Sequence, residues 1–121
     1  MHLFPRPALA AACDAAALVA FALVGLASHT GGVSAAGIAR DALPLLAGWF
    51  AAAWLLRLYR RPSPARLAGT WTLGITAGVL VRAAALGHTH VGREAAFLAV
   101  SLAFGLVFVL AARLLAGLAP A

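Results

Sequence analysis

Hydrophobic positions in this chain do not alternate with polar ones; they run together in long blocks. Four apolar stretches extend from Ala8 to about Ser28, from about Ala42 to Leu58, from Ala68 to Leu86 and from Ala95 to about Leu115. Each is roughly the 20 residues that a helix needs to cross a hydrocarbon core. Turn-forming residues collect between them: Thr30-Gly31-Gly32, then Arg60-Arg61-Pro62-Ser63-Pro64, then Gly87-His88-Thr89-His90-Val91-Gly92. Connections this short make sequence neighbours pack antiparallel. The predicted fold is all-α, an integral membrane four-helix bundle forming a single transmembrane domain over residues 1–121.

Within the stretches, small and polar residues share faces. Steps of four set Thr70, Gly74, Gly78 and Arg82 on one stripe of the third helix. Gly74 and Gly78, spaced as G-x-x-x-G, are candidates for close helix packing. Asp14, Gly25, Ser28 and His29 fall within about 100° of one another on the first helix. Asp41, Pro44 and Gly48 share a face of the second, and Glu94, Ser101 and Gly105 a face of the fourth. These faces are predicted to form the bundle interior. Trp49 and Trp54 lie deep enough in the second stretch to be expected to pack, whereas Tyr59 and Trp71 fall where interfacial aromatics do.

Composition strengthens the membrane reading. The chain is 64% hydrophobic and 10% charged, against about 25% charged residues in a soluble domain. All nine basic residues are arginine, and the absence of Lys, Asn and Gln resembles the product of a GC-rich bacterial genome. The net charge of +6 could suit nucleic acid, but the arginines are scattered among apolar runs instead of lining one face, so a nucleic-acid partner is not expected. Topology accounts for them: Arg57, Arg60, Arg61 and Arg66 surround the second connection, and Arg6 and Arg113 fall on the same side. Opposite them stand Arg40 and Arg93, each beside an acid. The positive-inside rule then places both termini in the cytoplasm of a cell with the protein in its inner membrane. A cleaved signal peptide would carry a clean apolar core; Asp14 interrupts this one, so the first stretch is read as a retained span.

Charges inside a span are costly and are functional candidates by default. Asp14 lies about 9 Å in from one edge and Arg82 about 21 Å in, at 1.5 Å per residue. Together with Ser28 and His29 they are the intramembrane candidates. Arg82 is expected to pair with Asp41 or Glu94 in an outer polar cluster that also takes in His29, His88 and His90. Asp14 has two readings, a pair with Arg113 or a protonated carboxyl of the kind proton-coupled carriers use. Arg113 lies about 100° from the small-residue stripe of its helix and is read as snorkelling. His29, His88 and His90 could in principle hold zinc or haem iron. No CxxC, HExxH or carboxylate frame accompanies them, so neither metal nor cofactor is expected. No nucleophile elbow or phosphate loop is present, and the chain is read as non-enzymatic.

The order of these features is similar to that of a family of bacterial and archaeal membrane proteins, domain of unknown function 3054. Asp14 opens the first helix, and Gly25-Leu26-Ala27-Ser28-His29 closes it. Pro44 and Gly48-Trp49 mark the second, Gly78 to Arg82 ends the third, and Phe97 and Arg113 bracket the fourth. Leu26 stands where the family often has Arg. The resemblance covers nearly the whole chain; it implies a four-helix membrane protein and no particular activity. Three functions follow as expectations. The first is a structural or accessory membrane protein that forms a homo-oligomer or joins a membrane complex. The second is a proton-coupled small-solute carrier or channel, and the third a membrane metal- or haem-binding protein.

Overall fold

The computed structural model describes residues 3–27, 34–87 and 91–118. It contains four helices: α1 (Pro7–Ala27), α2 (Ala35–Leu56), α3 (Pro64–Leu86) and α4 (Val91–Leu118). Local chemistry sets their ends. Pro7 stands at the first helical position of α1, where its missing N–H is no loss. Ser34 begins α2 and its hydroxyl accepts from the Gly37 amide at 3.0 Å. Ser63 does the same for α3 through the Arg66 amide at 3.1 Å, with Pro64 at the first helical position. Gly87 closes α3 in the left-handed region, φ 68°.

Arg57 closes α2 in that same region, φ 58° and ψ 39°. The Leu58 amide reaches back to the Ala53 carbonyl at 2.9 Å and the Arg57 amide to that of Trp54 at 3.3 Å, a Schellman termination. Glycine usually occupies this position, because a left-handed backbone costs a residue with a Cβ on the order of 1 kcal/mol.

Neighbouring helices run antiparallel, and α1 closes the ring by packing on α4. The α2–α3 interface is the most extensive, and glycine is the reason. A Cβ on Gly48 would come within 2.3 Å of the Gly74 carbonyl oxygen and 2.7 Å of the Gly78 nitrogen. A Cβ on Gly78 would meet the Pro44 carbonyl oxygen at 2.8 Å, and one on Gly74 the Trp49 Cα at 2.8 Å. Backbone therefore lies directly on backbone along this seam. Around it the core is built from Leu18, Leu45, Trp49, Ile75, Val79 and Val109, all essentially buried.

The outside of the bundle is apolar on every helix. Val24, Leu43, Trp54, Leu55, Leu80, Val107 and Leu115 are all more than half exposed. Among the described residues, three helical segments, Pro7–Ala27, Pro64–Ala85 and Ala95–Gly117, are long and apolar enough to cross a membrane. Two expectations need correction. α2 begins at Ala35, not near Ala42: Arg40 and Asp41 look like a loop boundary in sequence, but Ser34 caps the helix about two turns earlier and the two charges sit inside it. Trp54 does not pack into the core. It is 75% exposed, because it stands on the face of α2 away from α3.

Candidate functional site

Two charged centres are fixed by this architecture, one at each end of the bundle. The first forms where α1 begins, α4 ends and the α2–α3 turn folds back. Asp14 is fully buried on α1. Arg113 of α4 grips it with two parallel bonds, Nε to Oδ1 at 2.8 Å and Nη2 to Oδ2 at 2.7 Å. The third guanidinium nitrogen, Nη1, donates to the Leu3 carbonyl at 2.7 Å, and Phe4 lies 5.8 Å from the guanidinium carbon. Tyr59, in the α2–α3 turn, donates its hydroxyl to Asp14 Oδ2 at 2.6 Å. The same phenol oxygen accepts from the indole N–H of the buried Trp49 at 3.0 Å. One continuous chain of hydrogen bonds therefore links all the elements that meet at this end.

Each polar atom in this network has a partner, which is what a low-dielectric interior demands. Burial and the adjoining carboxylate push the Tyr59 phenol well above its ordinary range. The phenol therefore stays protonated and remains a donor to Asp14. The bidentate fork makes Arg113 a geometric clamp as well as a counter-charge.

The second centre lies where α2 begins and α3 ends. Arg82 Nε donates to Asp41 Oδ1 at 3.0 Å, and Arg40 Nε reaches the same oxygen at 3.2 Å. The Arg82 guanidinium carbon sits 4.2 Å from the Phe97 ring centroid, within cation–π range. Arg82 and Asp41 can meet because both extend the glycine seam: Arg82 is one turn beyond Gly78, and Asp41 one turn before Pro44 and Leu45.

The residues singled out in sequence thus divide. Asp14 and Arg82 belong to separate centres at opposite ends, and Asp41 joins Arg82. Gly74 and Gly78 line the seam against Gly48. Ser28, His29, His88 and His90, and the side chain of Glu94, lie outside the described residues. Among the described residues, no three His, Cys, Asp or Glu side chains gather in one place. Thr70 and Ser101 are buried, and their hydroxyls have no hydrogen-bond partner among the described residues.

Of the two expectations for Arg113, snorkelling to the headgroups and a pair with Asp14, the structure has the pair: Arg113 is 1% exposed and buried against Asp14. A backbone offset of about 100° does not exclude contact, because an arginine carries its charge at the end of a long flexible stem. Tyr59 was read as interfacial, and its part in the network was missed. The available signal was Trp49: a deeply placed indole needs an acceptor for its N–H, and the phenol ten residues on supplies it.

The family described as "Protein of unknown function (DUF3054)" matches residues 11–116. No curated protein and no solved structure matches the chain. The matched span takes in Asp14, Tyr59, Arg82 and Arg113, and it covers most of all four helices, so both charged centres fall inside it. This chain belongs to the DUF3054 family.

Proposed function

We propose that this is a multi-pass membrane protein whose four helices all cross the bilayer and whose role is structural or accessory, not catalytic. The end that carries Tyr59 and the Arg-rich turn faces the cytoplasm, with α1 starting and α4 finishing there. The observation that carries the reading is the enclosure of Asp14 by Arg113 and Tyr59. Asp14 accepts three hydrogen bonds, of about four a carboxylate can take, in a site with 0% exposure, which leaves little for a solute to engage. It ties three elements together instead. The apolar outer faces of the helices suit lipid and, through it, a second copy or a larger membrane complex.

The runner-up is a proton-coupled carrier, in which Asp14 would release Arg113 and take up a proton during each cycle. One reconstitution separates the two. Proteoliposomes of the parent protein should show no proton movement driven by solute gradients, and cross-linking in native membranes should trap a second copy or a partner. Proton flux abolished by Asp14→Asn, with no cross-linked species, would reverse the assignment. Topology is tested in a Cys13→Ala background: Arg61→Cys should label from the cytoplasmic side and Gly87→Cys from the other.

A further inference from the structure

Four arginines surround the α2–α3 turn, and they are not equivalent. Arg66 is committed within the fold, its Nε donating to the Leu56 carbonyl at 3.0 Å. Arg57, Arg60 and Arg61 are exposed, and among the described residues no acid is offered to them. Asp14 is taken by Arg113 and Tyr59, and Asp41 by Arg82 and Arg40. Glu94 stands in the first turn of α4, at the opposite end of the bundle. Among the described residues, then, no carboxylate supplies a counter-charge to this turn.

Two shallow clefts share Trp54, Arg57 and Arg60 in their linings. The first, about 220 Å³, is completed by Leu55; the second, about 270 Å³, by Phe50, Ala53 and Tyr59. Both fall below the roughly 300–1,000 Å³ of pockets that enclose a small solute. Both combine apolar side chains with the same two arginines. Apolar side chains beside two cations suit a two-tailed lipid, with an acyl chain in each cleft and the phosphate at the arginines. The backbone adds an independent sign. Arg57 holds a left-handed conformation that glycine would adopt without strain, and the arginine there projects its side chain from the very end of α2.

We propose that Arg57 and Arg60 form a binding site for an anionic phospholipid, with the headgroup phosphate at the two arginines and the acyl chains in the clefts that Trp54 lines. The proposal rests on the chain lying in a bilayer but not on its structural role there. Specific retention of one lipid class would anchor the turn at a fixed depth and add to the hold of Tyr59 on Asp14.

The test uses Trp54 as the reporter, because Trp49 is buried and Trp71 is half-buried. The full chain is reconstituted in equimolar phosphatidylcholine and phosphatidylglycerol, with either lipid brominated to quench nearby indoles. Brominated phosphatidylglycerol should quench preferentially, and the preference should fall about fivefold for each of Arg57→Gln and Arg60→Gln. It should be unchanged in Arg61→Gln, which alters the same net charge but lines neither cleft. Arg57→Gly guards against misfolding: it should lose the preference while melting at a higher temperature than the parent in phosphatidylcholine alone. Excess inorganic phosphate should leave the quenching in place. Equal loss in Arg61→Gln, no preference in the parent, or displacement by free phosphate would each overturn the site. Failure of the chain to enter vesicles would overturn the membrane reading and the site with it.

Discussion

At one end of the bundle Asp14 and Arg113 are shut away, with side chains 0% and 1% exposed; at the other, Asp41 and Arg82 keep 15% and 14% of their surface. The chemistry is the same, a carboxylate and a guanidinium, but the constructions differ. The Asp14 pair is bidentate and joins helices nearly a hundred residues apart in sequence. A tyrosine and a backbone carbonyl complete its hydrogen bonds. The Asp41 pair uses one carboxylate oxygen shared by two arginines. It also inherits its geometry from the glycine seam directly beneath it. The first centre acts as a clasp holding α1 to α4 and to the turn; the second finishes an interface that backbone packing has already made.

The difference predicts unequal sensitivity. Arg113→Met leaves Asp14 charged and buried without its partner, and should cost about 3–5 kcal/mol. Removing both charges, as Asp14→Leu with Arg113→Met, should recover most of that loss, because two apolar side chains have no desolvation penalty to offset. Reversible unfolding in mixed detergent micelles measures both. A double variant as unstable as the single one would show that the pair does more than satisfy itself.

Next in size is the seam. Gly48→Ala drives a methyl group into the backbone of Gly74 and Gly78 and should cost about 3 kcal/mol by overpacking. Its effect should be lopsided. Separation of α2 from α3 breaks the Arg82–Asp41 contact and leaves Asp14–Arg113 in place, since that pair spans α1 and α4. Cross-linking of Asp41→Cys with Arg82→Cys, compared with and without Gly48→Ala, reads this directly.

Tyr59→Phe should cost about 2 kcal/mol, mostly because the Trp49 N–H loses its acceptor in a buried site. The variant also tests the phenol's titration. A pKa raised by folding contributes stability that is complete below the ordinary tyrosine value of about 10 and is lost as pH rises above it. The parent should therefore lose stability above pH 10 more steeply than Tyr59→Phe, whereas between pH 6 and 9 the two profiles should run parallel. The smallest effect is expected at the other centre. Asp41→Asn should cost about 1 kcal/mol, in keeping with a pair that water and headgroups can reach.

How much of this could be read from the chain depends on the range of the interaction. The G-x-x-x-G stripe ending at Arg82 was legible because Thr70, Gly74, Gly78 and Arg82 lie on one helix at a fixed spacing. Asp41 was within reach of the same reasoning, since it shares a face with Pro44 and Gly48. The start of α2 was not, because Arg40-Asp41 resembles a boundary until Arg82 is seen to satisfy the acid. Arg113 and Tyr59 were misread for a common reason. Each is amphipathic and placed near a span end, and nothing local distinguishes a side chain that turns outward to headgroups from one that turns inward to a buried carboxylate.

The sequence by itself determined that the chain is helical, that it forms four helices, that the Gly74–Gly78 stripe is small enough to touch a neighbour, and that arginine gathers around one turn. These follow from apolar run length, from helical period and from turn residues, all properties of neighbours along the chain. Only the tertiary structure decided that Asp14 belongs to Arg113, that Tyr59 bridges Trp49 to that pair, and that Trp54 faces outward and lines two clefts. The partner of a buried charge is set by which helix end lies beside it in space. That proximity is fixed by the closure of α1 on α4, long after any local pattern has ended.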